Sequence, residues 1–136
     1  MSISPFELGH AVKRLQHRHH RTMDTRLAPL GISLVQWNAL REIDRHPGAP
    51  QHRLAELTFN SDQAFGTLAK RLRAQGFVKS RAGAGRAILL ELTTKGRALL
   101  AQGQKVAREM LDESFAPLDE KERVTLRRLL DKVLGG

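Results

Sequence analysis

The sequence predicts a mainly α-helical chain with one small β-hairpin, in the order α-α-α-α-β-β-α-α. Three observations predict it. Cap residues head successive segments (Ser4, Ser33, Asn60 or Ser61, Thr93 and Asp119). Apolar residues inside those segments recur at helical spacing. Two short strand-like runs flank a flexible tip, Arg81-Ala82-Gly83-Ala84-Gly85-Arg86.

The first helix opens at Ser4-Pro5-Phe6-Glu7, with a cap, a proline at the first helical position and an acid three residues after the cap. Running to about Ala28, it aligns Leu8, Val12, Leu15, His19, Met23 and Leu27 on one stripe, and Pro29 and Gly31 end it. Ser33 to Gln36 is a second capping box, opening a helix to about Arg45 whose Leu34, Trp37, Leu40 and Ile43 predict deep burial. After His46-Pro47-Gly48 comes a short helix from Pro50 to Leu57. The next helix, Ser61 to Gln75, carries Phe65, Leu68, Ala69 and Leu72 at i, i+3, i+4 and i+7. Strand-like runs follow at Phe77 to Ser80 and Ala87 to Leu92. Thr93 caps a long helix to about Glu113, Pro117 marks a break, and the Asp119/Glu122 box opens the last helix.

The chain has 136 residues, 40% of them hydrophobic, and no cysteine. That composition suits one folded unit and excludes disulfides, thiolate nucleophiles and cysteine-ligated metals. No apolar run approaches the roughly 18 residues of a membrane span. The amino terminus lacks the basic segment and apolar core of a signal peptide, so the expected location is the cytoplasm, with no membrane partner. Net charge is +9, and residues 51–86 hold seven Lys/Arg against Glu56 and Asp62, a local excess of +5. A clustered basic segment is the expected footprint of a phosphate-binding surface.

The Ser61–Gln75 helix has a second face that matches this charge. Asp62, Gln63, Gly66, Thr67, Lys70 and Arg71 lie away from the Phe65/Leu68/Leu72 stripe. Short hydrogen-bonding side chains occupy its first turns and cations come later, which is what a helix reading base edges in a major groove requires. Ser61 and the free amides of the first turn suit a phosphate. Gly66 in mid-helix costs about 1 kcal/mol relative to alanine, consistent with close approach to DNA or to a neighbouring helix, or with tolerated imperfection. With the short helix before it and a basic hairpin after it, the segment predicts a winged helix-turn-helix. The candidate DNA-binding residues are Ser61, Asp62, Gln63, Gly66, Thr67, Lys70, Arg71 and Arg73, with Lys79, Arg81 and Arg86 on the wing.

The chain also resembles a known family. Leu30-Gly31-Ile32-Ser33 followed by Gln36-Trp37, His46-Pro47-Gly48, Leu54-Ala55-Glu56, Arg71-Leu72, Gly76-Phe77-Val78 and Leu92-Thr93-Thr94-Lys95-Gly96 are similar in order and spacing to the multiple-antibiotic-resistance regulator (MarR) family. The resemblance implies a homodimer built from the first and last two helices (residues 4–30 and 94–136) and a DNA-binding lobe over residues 33–92. It implies binding to an inverted-repeat operator on double-stranded DNA, with repression released by a small aromatic or phenolic effector. An effector pocket between the first, second and fifth helices is implied too, with His19 and Trp37 as candidates. One departure stands out. The family's wing carries an acid beside its arginine, whereas here Ala84 replaces the acid and only Arg86 matches. Sequence preference is therefore expected to rest more heavily on Gln63 and Thr67 than is usual in that family.

Dimerisation has independent support. Leu8, Val12 and Leu15 near one end, and Leu126, Leu129, Leu130 and Val133 near the other, form apolar seams with too little remaining chain to cover them. His17, His20 and Asp24 share a helical face, but a metal site needs three or four converging ligands, so no metal and no cofactor is expected. His19 interrupts the apolar stripe and reads as a satisfied interface or core histidine. Burial accounts for Trp37 more simply than effector contact. No G-x-S-x-G, Walker loop or dinucleotide fingerprint occurs, so an enzyme is not expected. The principal alternative is a winged-helix interaction module for protein or RNA, and a metal- or cofactor-dependent enzyme using the histidine-rich helix is the remoter one.

Overall fold

A computed structural model describes residues 1–85 and 87–136. Six helices and one hairpin follow in the expected order: α1 (Pro5–Leu27), a 3-10 turn (Ala28–Leu30), α2 (Leu34–Arg45), α3 (Gln51–Leu57), α4 (Asp62–Ala74), β1 (Val78–Ala82), β2 (Ile88–Leu92), α5 (Thr94–Phe115) and α6 (Glu120–Leu134). The capping boxes at Ser4/Glu7, Ser33/Gln36 and Asp119/Glu122 are all formed, each satisfying amides that the first turn leaves without helical partners. Of the two candidates for the α4 cap, Ser61 is the one whose hydroxyl accepts, from the amide of Ala64 at 3.1 Å.

The strand boundaries differ from expectation. The first strand begins at Val78, not Phe77, and runs to Ala82. Phe77 is instead committed to the end of α4, its amide donating to the Leu72 carbonyl at 3.0 Å and its ring buried. The second strand begins at Ile88, one residue later than expected, and pairs antiparallel with the first in the register Val78↔Leu92 to Ala82↔Ile88. α5 extends past Glu113 to Phe115.

The core gathers Leu27 of α1, Leu40 of α2, Leu54 of α3, and Phe65 and Leu72 of α4, all fully buried, at about 1.5–3 kcal/mol of burial each. The motif residues after β2 lock the hairpin to α4. The Thr93 hydroxyl donates to the Gly76 carbonyl at 2.6 Å, and Lys95 donates to the Gln75 carbonyl at 3.0 Å while lying 5.0 Å over the Phe77 ring. Gly96 passes so close to the Phe77 carbonyl that a Cβ there would overlap it. Asp24 of α1 accepts from the Leu34 amide at 2.7 Å and so caps the start of α2. By contrast, no residue of α6 is buried within the protomer.

Candidate nucleic-acid interface

The α3-turn-α4 unit positions the candidate reading surface. Phe65, Ala69 and Leu72 anchor one face of α4 in the core, which leaves Asp62, Gln63, Thr67, Lys70 and Arg71 exposed together on the other. Gly66 lies on the same helix with nothing within 4 Å of the place a Cβ would occupy. No neighbouring helix therefore explains the glycine. The Thr67 hydroxyl donates to the Gln63 carbonyl at 3.2 Å, so towards a ligand it is left as an acceptor. The far end of α4 is held by Gln36, whose amide oxygen takes the Ser33 amide at 2.9 Å while its nitrogen donates to Gln75 at 2.8 Å.

The hairpin places its cations less freely than their number suggests. Lys79 faces Glu91 directly across the register, and both Lys79 and Arg81 pair with that one carboxylate, at 3.3 and 3.4 Å. Arg73 reaches from α4 to the Ser80 hydroxyl at 3.4 Å. Arg86, the remaining wing candidate, lies outside the described residues. Glu91 lies just beyond the basic segment, and only the antiparallel register brings it back under Lys79.

Two more residues of this surface escaped the sequence reading. His52 of α3 bonds Asp62 at the start of α4, at 2.9 Å. In the turn between them, Phe59 has a left-handed backbone (φ 58°) and is 98% exposed. An H-x9-D spacing carries no recognised motif, and nothing in the residue type marks Phe59, since aromatic side chains rarely occupy that conformation.

The structure does not bring the effector candidates together. Trp37 is buried against α5, its indole nitrogen donating to the Leu100 carbonyl at 3.2 Å, with Arg41 lying 5.4 Å over the ring. It forms one wall of a cavity of about 640 Å³ between α2 and α5. His19 lines a different cavity, about 370 Å³, between α1 and α5. There it bonds the Ser114 hydroxyl at 2.7 Å and meets Phe115 edge-on, and burial followed by the nearby Arg18 charge pushes its pKa below the usual value. His20 and Asp24 pair at 3.3 Å, but among the described residues no three metal-ligating side chains converge.

The candidate dimer residues are largely uncovered in the protomer. Leu8, Val12, Leu129, Leu130 and Val133 are exposed, and Leu15 and Leu126 are half-buried. Ile3 and Phe6, which the sequence reading left out, extend the exposed apolar face at the head of α1. Leu126 and Leu130 also line a cleft of about 330 Å³ with Leu111 and Phe115 of α5. No helix is long and apolar enough to cross a membrane among the described residues.

A helix-turn-helix followed by a two-stranded hairpin, with a polar and cationic face on its second helix, defines a winged helix-turn-helix protein. A family model described as MarR family matches residues 30–87. Over 128 residues the chain is 28% identical to the HTH-type transcriptional repressor Rv2887 of Mycobacterium tuberculosis, covering 93% of this chain and 92% of that protein. The structure of Rv2887 in complex with p-aminosalicylic acid superposes with a TM-score of 0.77 at 28% identity, over 93% of this chain and 97% of that one. A mutant MarR from E. coli complexed with operator DNA gives a TM-score of 0.83 at 26% identity, over 93% of both chains.

Proposed function

We propose that this protein is a homodimeric, sequence-specific DNA-binding transcriptional regulator, a repressor released by a small aromatic effector. The observation that carries the reading is the division of α4, with Phe65, Ala69 and Leu72 in the core and Gln63, Thr67, Lys70 and Arg71 turned outward. In this reading Gln63 and Thr67 meet base edges, and Ser61, Lys70, Arg71 and Arg73 hold phosphates. Asp62 and Gly66 border that contact, and Lys79, Arg81 and Arg86 serve the wing. Residues 33–92 form the DNA-binding lobe. Residues 4–30 and 94–136 bury the exposed faces of α1 and α6 against a second copy and set the two lobes about 34 Å apart, one helical turn of DNA.

Named relatives support the DNA and the effector: Rv2887 is a transcriptional repressor solved with p-aminosalicylic acid, and a MarR was solved with operator DNA. For the effector, the α2/α5 cavity lined by Trp37 places Arg41 and Arg108 at its wall, cations that suit an anionic aromatic compound. The His19 cavity is the second candidate. Binding at either acts by changing the separation of the lobes. The expected location is the cytoplasm, on the nucleoid when DNA is bound, and no enzymatic activity is expected.

One observation favours a second reading. Glu91 takes up the charge of Lys79 and Arg81, as a winged-helix adaptor for protein or RNA would tolerate. A gel shift on DNA upstream of the protein's own gene, with salt titration and excess random competitor, separates the two. A regulator binds that DNA far more tightly than random duplex, with affinity falling steeply as salt rises. Equal binding to both favours the adaptor.

A further inference from the structure

The turn between α3 and α4 contains a bridge of charges. Both ring nitrogens of His52 face carboxylates: Nδ1 lies 2.9 and 3.1 Å from the two oxygens of Asp62, and Nε2 lies 3.2 Å from Glu56. A neutral imidazole donates from one nitrogen only, whereas an imidazolium donates from both. Such a geometry is fully satisfied only by the charged ring. Among the described residues, the charges that face it are Asp62 from α4, Glu56 from its own helix, and Arg53, whose guanidinium lies 3.8 Å from the other oxygen of Glu56. No ionic side chain of α2, the helix packed behind α3, pairs with it. The hydrogen bond to Asp62, then the charges of Asp62 and Glu56, raise the His52 pKa above the usual 6.5, against a smaller desolvation effect.

Asp62 is the first residue of α4, next to Gln63. A carboxylate there is favoured by the helix amino terminus, but it also repels approaching phosphates. The proton on His52 decides how much of that negative charge a duplex meets. We infer that His52 is a positioning residue of the DNA-reading helix: its imidazolium clamps Asp62 against α3 and offsets the carboxylate's repulsion of DNA, so duplex binding weakens when the proton leaves. This inference rests on α4 being the DNA-reading element. It adds that the affinity of this surface varies with the pH of its surroundings.

The pair is exposed to solvent, so the effect is a few-fold change in affinity rather than orders of magnitude. The test is fluorescence anisotropy with the duplex recovered by selection from random DNA, at fixed ionic strength, from about pH 5.5 to about pH 8.5. Wild type is expected to lose roughly three- to tenfold affinity across that range, and to show a steeper salt dependence at the acid end by up to about one counterion. His52→Gln, which keeps a polar side chain but no proton to lose, flattens the profile, and Asp62→Asn moves its midpoint to lower pH because His52 loses the partner that holds its proton. Thermal unfolding of both variants confirms that each is folded. A His52→Gln profile that follows wild type overturns the inference, because another group then carries the pH dependence. A flat wild-type profile overturns it as well. These outcomes are separate from failure of the functional reading, in which no duplex is preferred over random DNA at any pH.

Discussion

Gly103 of α5 lies directly under the indole of Trp37, so close that a Cβ at position 103 would overlap the ring. In an open helix, replacing glycine with alanine gains about 1 kcal/mol. Here the added methyl must displace a buried ring that is also held by the Leu100 carbonyl. Gly103→Ala is therefore expected to destabilise the fold by about 1–3 kcal/mol, measured by urea unfolding. A variant as stable as wild type would show that the indole moves aside freely, and with it the wall of the α2/α5 cavity.

Gly66 has the opposite surroundings, with open space where its side chain would be. Gly66→Ala is expected to stabilise the protein by about 0.5–1 kcal/mol. If the backbone there lies against DNA, the same substitution weakens operator binding despite the gain in stability. Phe59→Gly should also stabilise, by roughly 0.5–1 kcal/mol, because it relieves a left-handed backbone whose side chain is almost fully exposed. A loss of stability would reveal that the phenyl ring packs on something.

Roles on α4 separate by how substitutions depend on sequence and salt. Gln63→Ala is expected to cost about 1–3 kcal/mol on the preferred site and to relax discrimination at one base pair. Lys70→Ala should weaken binding evenly across sequences and lower the salt slope by about one. Selection of bound sequences from random DNA distinguishes the two patterns. Arg86→Ala abolishing specific binding while Gln63→Ala leaves it intact would refute the dominance of α4 over the wing.

Leu129 and Val133 are exposed on α6, so charging them leaves the protomer core untouched. The double variant Leu129→Glu with Val133→Glu is expected to sediment as a monomer at micromolar concentration and to lose preference for an inverted repeat. Sedimentation as a dimer would move the interface elsewhere.

Two histidines should give stability opposite pH slopes. The His19 pKa is lowered by burial and then by Arg18, so its contribution is complete above the usual 6.5 and is lost as pH falls through the depressed value. The His52 pKa is raised, chiefly by Asp62, so its contribution is complete below 6.5 and is lost as pH rises through the elevated value. Urea unfolding across this range should show a flatter acid side in His19→Asn and a flatter alkaline side in His52→Gln. Unchanged slopes in either variant would assign the effect to other groups.

Helix ends were legible because capping is a matter of three or four adjacent residues. Ser33 and Gln36, or Asp119 and Glu122, satisfy each other's amides whatever the rest of the chain does. The two faces of α4 were legible for a similar reason: periodicity alone separates Phe65, Ala69 and Leu72 from Gln63, Thr67 and Lys70. Phe77 is ambiguous in the sequence, because an apolar residue after Gly76 fits a strand or a helix cap equally well. Only the bond from its amide to Leu72 decides between them.

What the sequence by itself determined was therefore the set of elements, their order and the outward face of the candidate reading helix. The tertiary structure alone decided which charges remain free. Glu91 reaches Lys79 and Arg81 through strand register, His52 reaches Asp62 through the packing of α3 against α4, and His19 and Trp37 fall in separate cavities, one between α1 and α5 and the other between α2 and α5. Such pairings depend on how whole elements pack, and no local spacing encodes that.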